Sequence, residues 1–278
     1  MLSYRRNLVL LLWTNGGTVR FDAAAKKPLV PCPYAPEAQR YVTQKSMRRI
    51  LIALVLFGIA FGYLEAAVVV YLRTIYEPIR QKISPRPSGE LFPLITPQQL
   101  AQSGPENTRR LWTELGREAA TLLMLAAIGL AVARNFQQWT AAFLIAFGVW
   151  DISFYVFLRL LIQWPESLLT WDLLFLIPVP WVGPVLAPVI VSLSMIGCGY
   201  VALTRTLALK PRHWIAILAG GAIVVVACCL DFPNTTRGGT PNPFHWGVFT
   251  AGELLGLAGF AAAVVNSRSL GSQTPPGY

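Results

Sequence analysis

Ile50–Leu72 reads ILIALVLFGIAFGYLEAAVVVYL, twenty-three residues in which Glu65 is the single interruption of an apolar run. At 1.5 Å rise per residue, about twenty such residues in a helix cross a hydrocarbon layer of about 30 Å. A soluble helix would need a polar face, and this stretch has none. It therefore predicts a membrane-spanning helix, and the rest of the chain can be searched for the same signal.

Five further stretches qualify: Leu115–Ala133, Trp139–Ile162, Val185–Leu207, Trp214–Leu230 and Trp246–Val265, the fifth of the six spans being the shortest. Composition agrees, because only 13% of the 278 residues are charged whereas soluble domains carry about 25%. The predicted fold is an all-α integral membrane protein, a bundle of about six transmembrane helices. The predicted organisation is a membrane domain over 47–266, a short flexible tail over 267–278, and an N-terminal extension over 1–46 that is either disordered or not translated. Met47-Arg48-Arg49 leads straight into the first span, whereas Lys26–Pro36 (KKPLVPCPYAP) shows no usable periodicity and Leu8–Trp13 is too short to span.

The net charge of +10 is concentrated at the start of the chain. Residues 1–49 hold nine Lys/Arg against Asp22 and Glu37, and the remainder carries a surplus of only +3. With no basic stripe interleaved with aromatics in the hydrophobic body, nucleic acid is excluded as a partner. Membrane lipid is the expected partner, with a membrane-protein partner or a second copy of the chain left open. Counting Lys/Arg in the short loops places both termini in the cytoplasm. The expected location is a cell membrane, most simply a bacterial inner membrane. Gln163–Gly183 and Asp231–His245 then face the opposite side, and Arg73–Thr113 reads as one long loop there.

Two connectors depart from plain linkers. Pro165–Pro188 (PESLLTWDLLFLIPVPWVGPVLAP) is apolar yet holds five prolines, so no continuous helix fits it. Pro165 at a first turn and Trp164, Trp171 and Trp181 at headgroup level predict a short interfacial helix through about Ile177, between the third and fourth spans. Asp231–Gly247 is dense in turn-forming residues.

The chain contains no phosphate-binding loop, no H-E-x-x-H and no G-x-S-x-G. The four cysteines form no C-x-x-C pair, and the two histidines, His213 and His245, fall on opposite faces. No cofactor is evident, although carboxylates leave room for a hard divalent cation. What remains is charge at membrane depth, which is costly and tends to face a cavity or a partner. Glu65, Glu118, Asp151, Arg159 and Glu253 are the main candidates to bind a substrate or ion. Arg117, Asp172, Asp231 and His245 are secondary ones. Asp151 and Arg159, two turns apart, are expected to pair, and Glu65, Glu118 and Glu253 to meet in a cavity opening outward.

Three readings follow, a carrier first and the other two as alternatives. A carrier of a small solute, a proton or a metal ion would use the carboxylates to bind or relay its cargo. A membrane enzyme would use them as general base or cation ligands on a lipidic substrate at the outer leaflet. A structural or assembly subunit would use them to pair helices or hold a partner chain.

Overall fold

In the computed structural model, residues 11–14, 17–20, 35–83, 85, 91–92 and 94–271 are described. The chain divides into two units, Met1–Ile50 and Leu51–Tyr278. In the first, β1 (Leu11–Thr14) and β2 (Gly17–Arg20) form an antiparallel hairpin in which Leu11 pairs with Arg20 and Thr14 with Gly17. The last residues of this unit begin α1 (Ala35–Ile83), so helix is already present twelve residues before Met47. The expectation for residues 1–46 otherwise falls outside the described residues, as does Cys32.

The second unit has the architecture of a polytopic membrane protein. Six helices are long and apolar enough to cross a membrane: α1, α3 (Pro105–Val132), α4 (Phe136–Ile162), α5 (Leu186–Thr204), α6 (Pro211–Cys229, extending as a span to Thr235) and α8 (Trp246–Gly271). Between them lie α2 (Pro97–Gln102), β3 (Trp171–Phe175), β4 (Trp181–Pro184) and the short α7 (Phe232–Thr235). The expected spans lie within or against these helices. The differences sit at the helix ends, where charge rather than hydropathy decides. α1 continues eleven residues past Leu72, and α3 starts ten residues before Leu115. The expected long loop Arg73–Thr113 is thus largely helical, its polar turns stitched by ion pairs one turn apart: Arg80 with Glu77, and Arg109 with Glu106.

Helices approach closely where glycine removes the side chain. A Cβ on Gly62 would lie 2.8 Å from the Trp150 carbonyl oxygen, and one on Gly148 would lie 2.6 Å from that of Ser192, so α1 and α5 both press on α4. A Cβ on Gly220 would meet the Gly256 nitrogen at 2.5 Å, and one on Gly259 would meet the Ala216 Cβ at 2.7 Å. This α6–α8 contact gives Gly252, Gly256 and Gly259 the packing role expected of small residues between membrane helices.

The segment after α4 corrects the sequence reading. No interfacial helix forms from Pro165. Instead β3 and β4 make an antiparallel hairpin, with Asp172 opposite Gly183, Leu173 opposite Val182, and an irregularity between Leu173 and Phe175. Each polar backbone group near lipid must find a partner within the protein, and two strands supply each other. Extra bonds from Val185 N–H to the Thr170 carbonyl (3.0 Å) and from Leu186 N–H to that of Leu168 (2.7 Å) tie the hairpin to α5.

Candidate functional site

The C-terminal halves of α1, α4 and α6 and the N-terminal parts of α3, α5 and α8 meet at one end of the bundle. The β3–β4 hairpin is folded among them. Together they enclose a cavity of about 1160 Å³. Its walls are mainly leucine, phenylalanine, tryptophan and valine, with Glu65, Glu118, Asp151 and Asp172 among them. None of its lining comes from residues 51–64, 122–146, 196–223 or 250–267, which form the far half of the helices.

Each of the four carboxylates has its own partner. Glu65, 9% exposed, accepts a hydrogen bond from Arg117 Nη1. Arg117 also donates from Nε to both oxygens of Glu114 at 3.0 Å, so one guanidinium on α3 neutralises two glutamates and bolts α3 to α1. Glu118 accepts from Leu176 N–H at 3.0 and 3.3 Å, giving a partner to a backbone donor just beyond β3. Asp151 accepts from Ser192 Oγ at 2.8 Å, joining α4 to α5 in a buried contact. Asp172, 6% exposed on β3, accepts from Tyr155 Oη at 2.9 Å.

Asp172 lies in the hairpin rather than in a spanning helix, and burial pushes its carboxyl up to about 6. The Tyr155 hydroxyl and the positive charge of Arg73 pull the other way without overcoming burial. The Arg73 guanidinium is held 4.0 Å from the centroid of the Trp164 ring, a cation–π contact that leaves its charge facing the cavity residues. A second aromatic group forms the floor: Trp150 and Phe175 with centroids 6.3 Å apart, and Phe175 and Trp181 at 5.8 Å. The indole N–H groups of Trp150 and Trp181 are buried and have no hydrogen-bond partner among the described residues.

Set against the sequence-predicted residues, the cavity gathers Glu65, Arg117, Glu118, Asp151 and Asp172 and leaves four others out. The expected Asp151–Arg159 pair does not form. Arg159 instead donates to the carbonyls of Gln163 (2.5 Å) and Pro165 (3.1 Å), capping the end of α4, while Asp151 turns to Ser192. Glu253 does not join Glu65 and Glu118. It stands on α8 outside the lining, with a buried Oε1 that has no partner among the described residues. Asp231 closes its own loop through Asn234 and Asn242, and His245 precedes α8 outside the cavity. Sequence reasoning missed Arg73, assigned to a loop, and Ser192, one polar residue in an apolar helix. Tyr155 and Trp150 carried a signal, since both flank Asp151 within Trp150–Tyr155.

Among the described residues, no three His, Cys, Asp or Glu side chains are grouped so as to hold a metal ion. The class defined by the fold is a polytopic, all-helical membrane bundle with a cavity at one end. No protein family, curated protein or solved structure matches the chain.

Proposed function

We propose that this protein is a membrane enzyme acting on a lipid-class amphiphile within one leaflet, with Asp172 as the proton-transferring group. One observation carries the reading: the cavity is large, mainly apolar and confined to one half of the bundle, yet it holds buried carboxylates. Apolar walls suit an acyl or prenyl chain, and the carboxylates set among them suit its head. Asp172 at about 6 is poised to give and take a proton near neutrality, and Tyr155, bonded to it, extends its reach. By the distribution of basic residues, the leaflet is the outer one.

A carrier has less support. A path across the membrane needs polar lining in both halves, and in the far half α1 packs closely on α4 at Gly58 and α5 on α4 at Gly199.

The test is to purify the protein in lipid nanodiscs and identify bound amphiphiles by mass spectrometry. Val191→Trp, which narrows the cavity, should retain less of the bound molecule. Asp172→Asn should keep it and accumulate it unconverted. Equal lipid content in the wild type and Val191→Trp would overturn the proposal, as would solute flux in proteoliposomes without any bound amphiphile.

A further inference from the structure

The polar groups of the cavity specify more than an amphiphile in general. Glu65 is neutralised by Arg117, and Asp172 is answered by Tyr155 and the charge of Arg73. Among the described residues Glu118 and Asp151 form no ion pair: their hydrogen bonds come from one backbone N–H and one serine hydroxyl. A carboxylate has about four acceptor sites, so both retain acceptor capacity. In the same lining, Trp150 Nε1 and Trp181 Nε1 are buried donors without partners among the described residues, and Trp150 is only 5% exposed. An unmet buried donor is costly, so both N–H groups call for an acceptor.

Few head groups answer both demands. A phosphate or sulfate offers acceptors alone, so it can answer the indoles but leaves the acceptor capacity of Glu118 and Asp151 unused. A quaternary ammonium offers no hydrogen-bond donor or acceptor and would leave the indole N–H groups unmet. A hydroxyl both donates and accepts, so several adjacent hydroxyls can donate to the two carboxylates and accept from the two indoles. Phe175 and Trp181, both half-buried in the lining, then offer apolar ring surface to the C–H face of a pyranose.

We propose that the cavity recognises an uncharged polyhydroxylated head, a glycosyl or polyol group carried on a lipid chain, with Glu118 and Asp151 as acceptors and Trp150 and Trp181 as donors. This rests on the amphiphile reading above and narrows it to a substrate class.

The probes are chain-matched single-tail amphiphiles: an alkyl glucoside, an alkyl phosphocholine, an alkyl sulfate and an alkyl ether of polyethylene glycol. Their binding is measured on the full chain in nanodiscs. The glucoside should bind at least tenfold tighter than the other three. Trp181→Phe keeps an aromatic ring and removes the N–H, and should weaken glucoside binding about three- to tenfold while leaving the polyethylene glycol ether unchanged. Trp150→Phe should do the same where it folds, and Trp181, only half-buried, keeps the test valid if it does not. Trp112→Phe, on the exposed surface of α3, is the control and should bind as the wild type does. If all four amphiphiles bind alike, or if the sulfate or phosphocholine is preferred, the polyol inference is overturned while the amphiphile reading stands. If none binds, both fall.

Discussion

Arg117 shows how much of this site depends on a single side chain. It reaches Glu65 on α1 and Glu114 one turn back on α3, so its two partners are not equivalent in consequence. Glu65→Gln leaves Arg117 chelated by Glu114 and offers it an amide oxygen instead, and the expected loss is about 1 kcal/mol. Arg117→Met leaves the buried Glu65 and the partly buried Glu114 without a shared cation, and the expected loss is about 3–5 kcal/mol. Thermal unfolding of the two variants in nanodiscs checks this ordering, and equal losses would show that Glu114 does not share the guanidinium. The sequence revealed the residue types here but not their partners. Arg117 and Glu118 are neighbours in the chain, yet α3 turns one toward α1 and the other toward the hairpin. Similarly, Asp151 and Arg159 share a helix face, but Arg159 is long enough to reach the carbonyls left open at the end of α4.

Asp172 carries a pH signature with a definite sign. Its carboxyl titrates at about 6 when folded, against an ordinary value of 3.8. Between those values the folded protein holds a proton that the unfolded chain has released. Stability from this group is therefore complete below about pH 4, declines as pH rises toward 6, and is flat above. The full difference is roughly 2–3 kcal/mol from the size of the shift. Asp172→Asn removes the titration and retains an acceptor for Tyr155. The stability difference, wild type minus Asp172→Asn, should fall across pH 4 to 6, as read from unfolding midpoints. A difference that stayed constant or rose would refute the assignment.

Among the elements, the apolar spans were legible because hydrocarbon imposes one simple demand, length without charge. The helix ends were not. Hydropathy registers only the buried part of a helix, whereas α1 and α3 continue into polar surroundings through residues such as Glu77, Arg80, Glu106 and Arg109, which sustain helix by propensity and by pairing one turn apart. The β3–β4 hairpin was misread for a related reason. Apart from Thr170 and Asp172, Leu168–Pro178 is apolar, so it shows neither helical nor alternating period, and only cross-strand pairing to Trp181–Pro184 settles its form.

Helix packing gives a sharp comparison between adjacent residues. A Cβ at Gly220 would meet backbone atoms of Gly252 and Gly256 within 2.6 Å, whereas one at Gly221 would meet nothing within 4 Å. Gly220→Ala should force α6 and α8 apart at a cost of about 1–3 kcal/mol. Gly221→Ala should be neutral or slightly stabilising, because alanine favours helix more than glycine does. Unfolding midpoints of the two single variants decide it, and equal effects would contradict the close α6–α8 crossing.

For the molecule as a whole, the up-and-down course of the helices puts Gln163 and Thr240 at the cavity end and Gln137 and Lys210 at the far end. Gln137 is anchored there, its amide donating to the carbonyls of Ala202 (2.7 Å) and Arg205 (2.6 Å). Combined with the basic loops, this predicts that reporter fusions at Gln137, Gln163, Lys210 and Thr240 read inside, outside, inside, outside. A cytoplasmic signal at Thr240 would overturn the orientation, and with it the leaflet assigned to the cavity.

The extension of α1 beyond its apolar run bears on how the bilayer itself tunes this protein. Leu51–Leu72 spans roughly 33 Å and Arg73–Ile83 adds roughly 16 Å of polar helix. Arg73, Glu77 and Arg80, which are also cavity residues, resist immersion in acyl chains, so they act as a depth gauge. In a thicker bilayer the lipid surface would rise against this collar, and the protein would have to tilt or thin the membrane around it. Under the proposed function, acyl-chain length would then set how far a lipid must climb to present its head to Asp172, making membrane thickness a regulator of access without any second ligand.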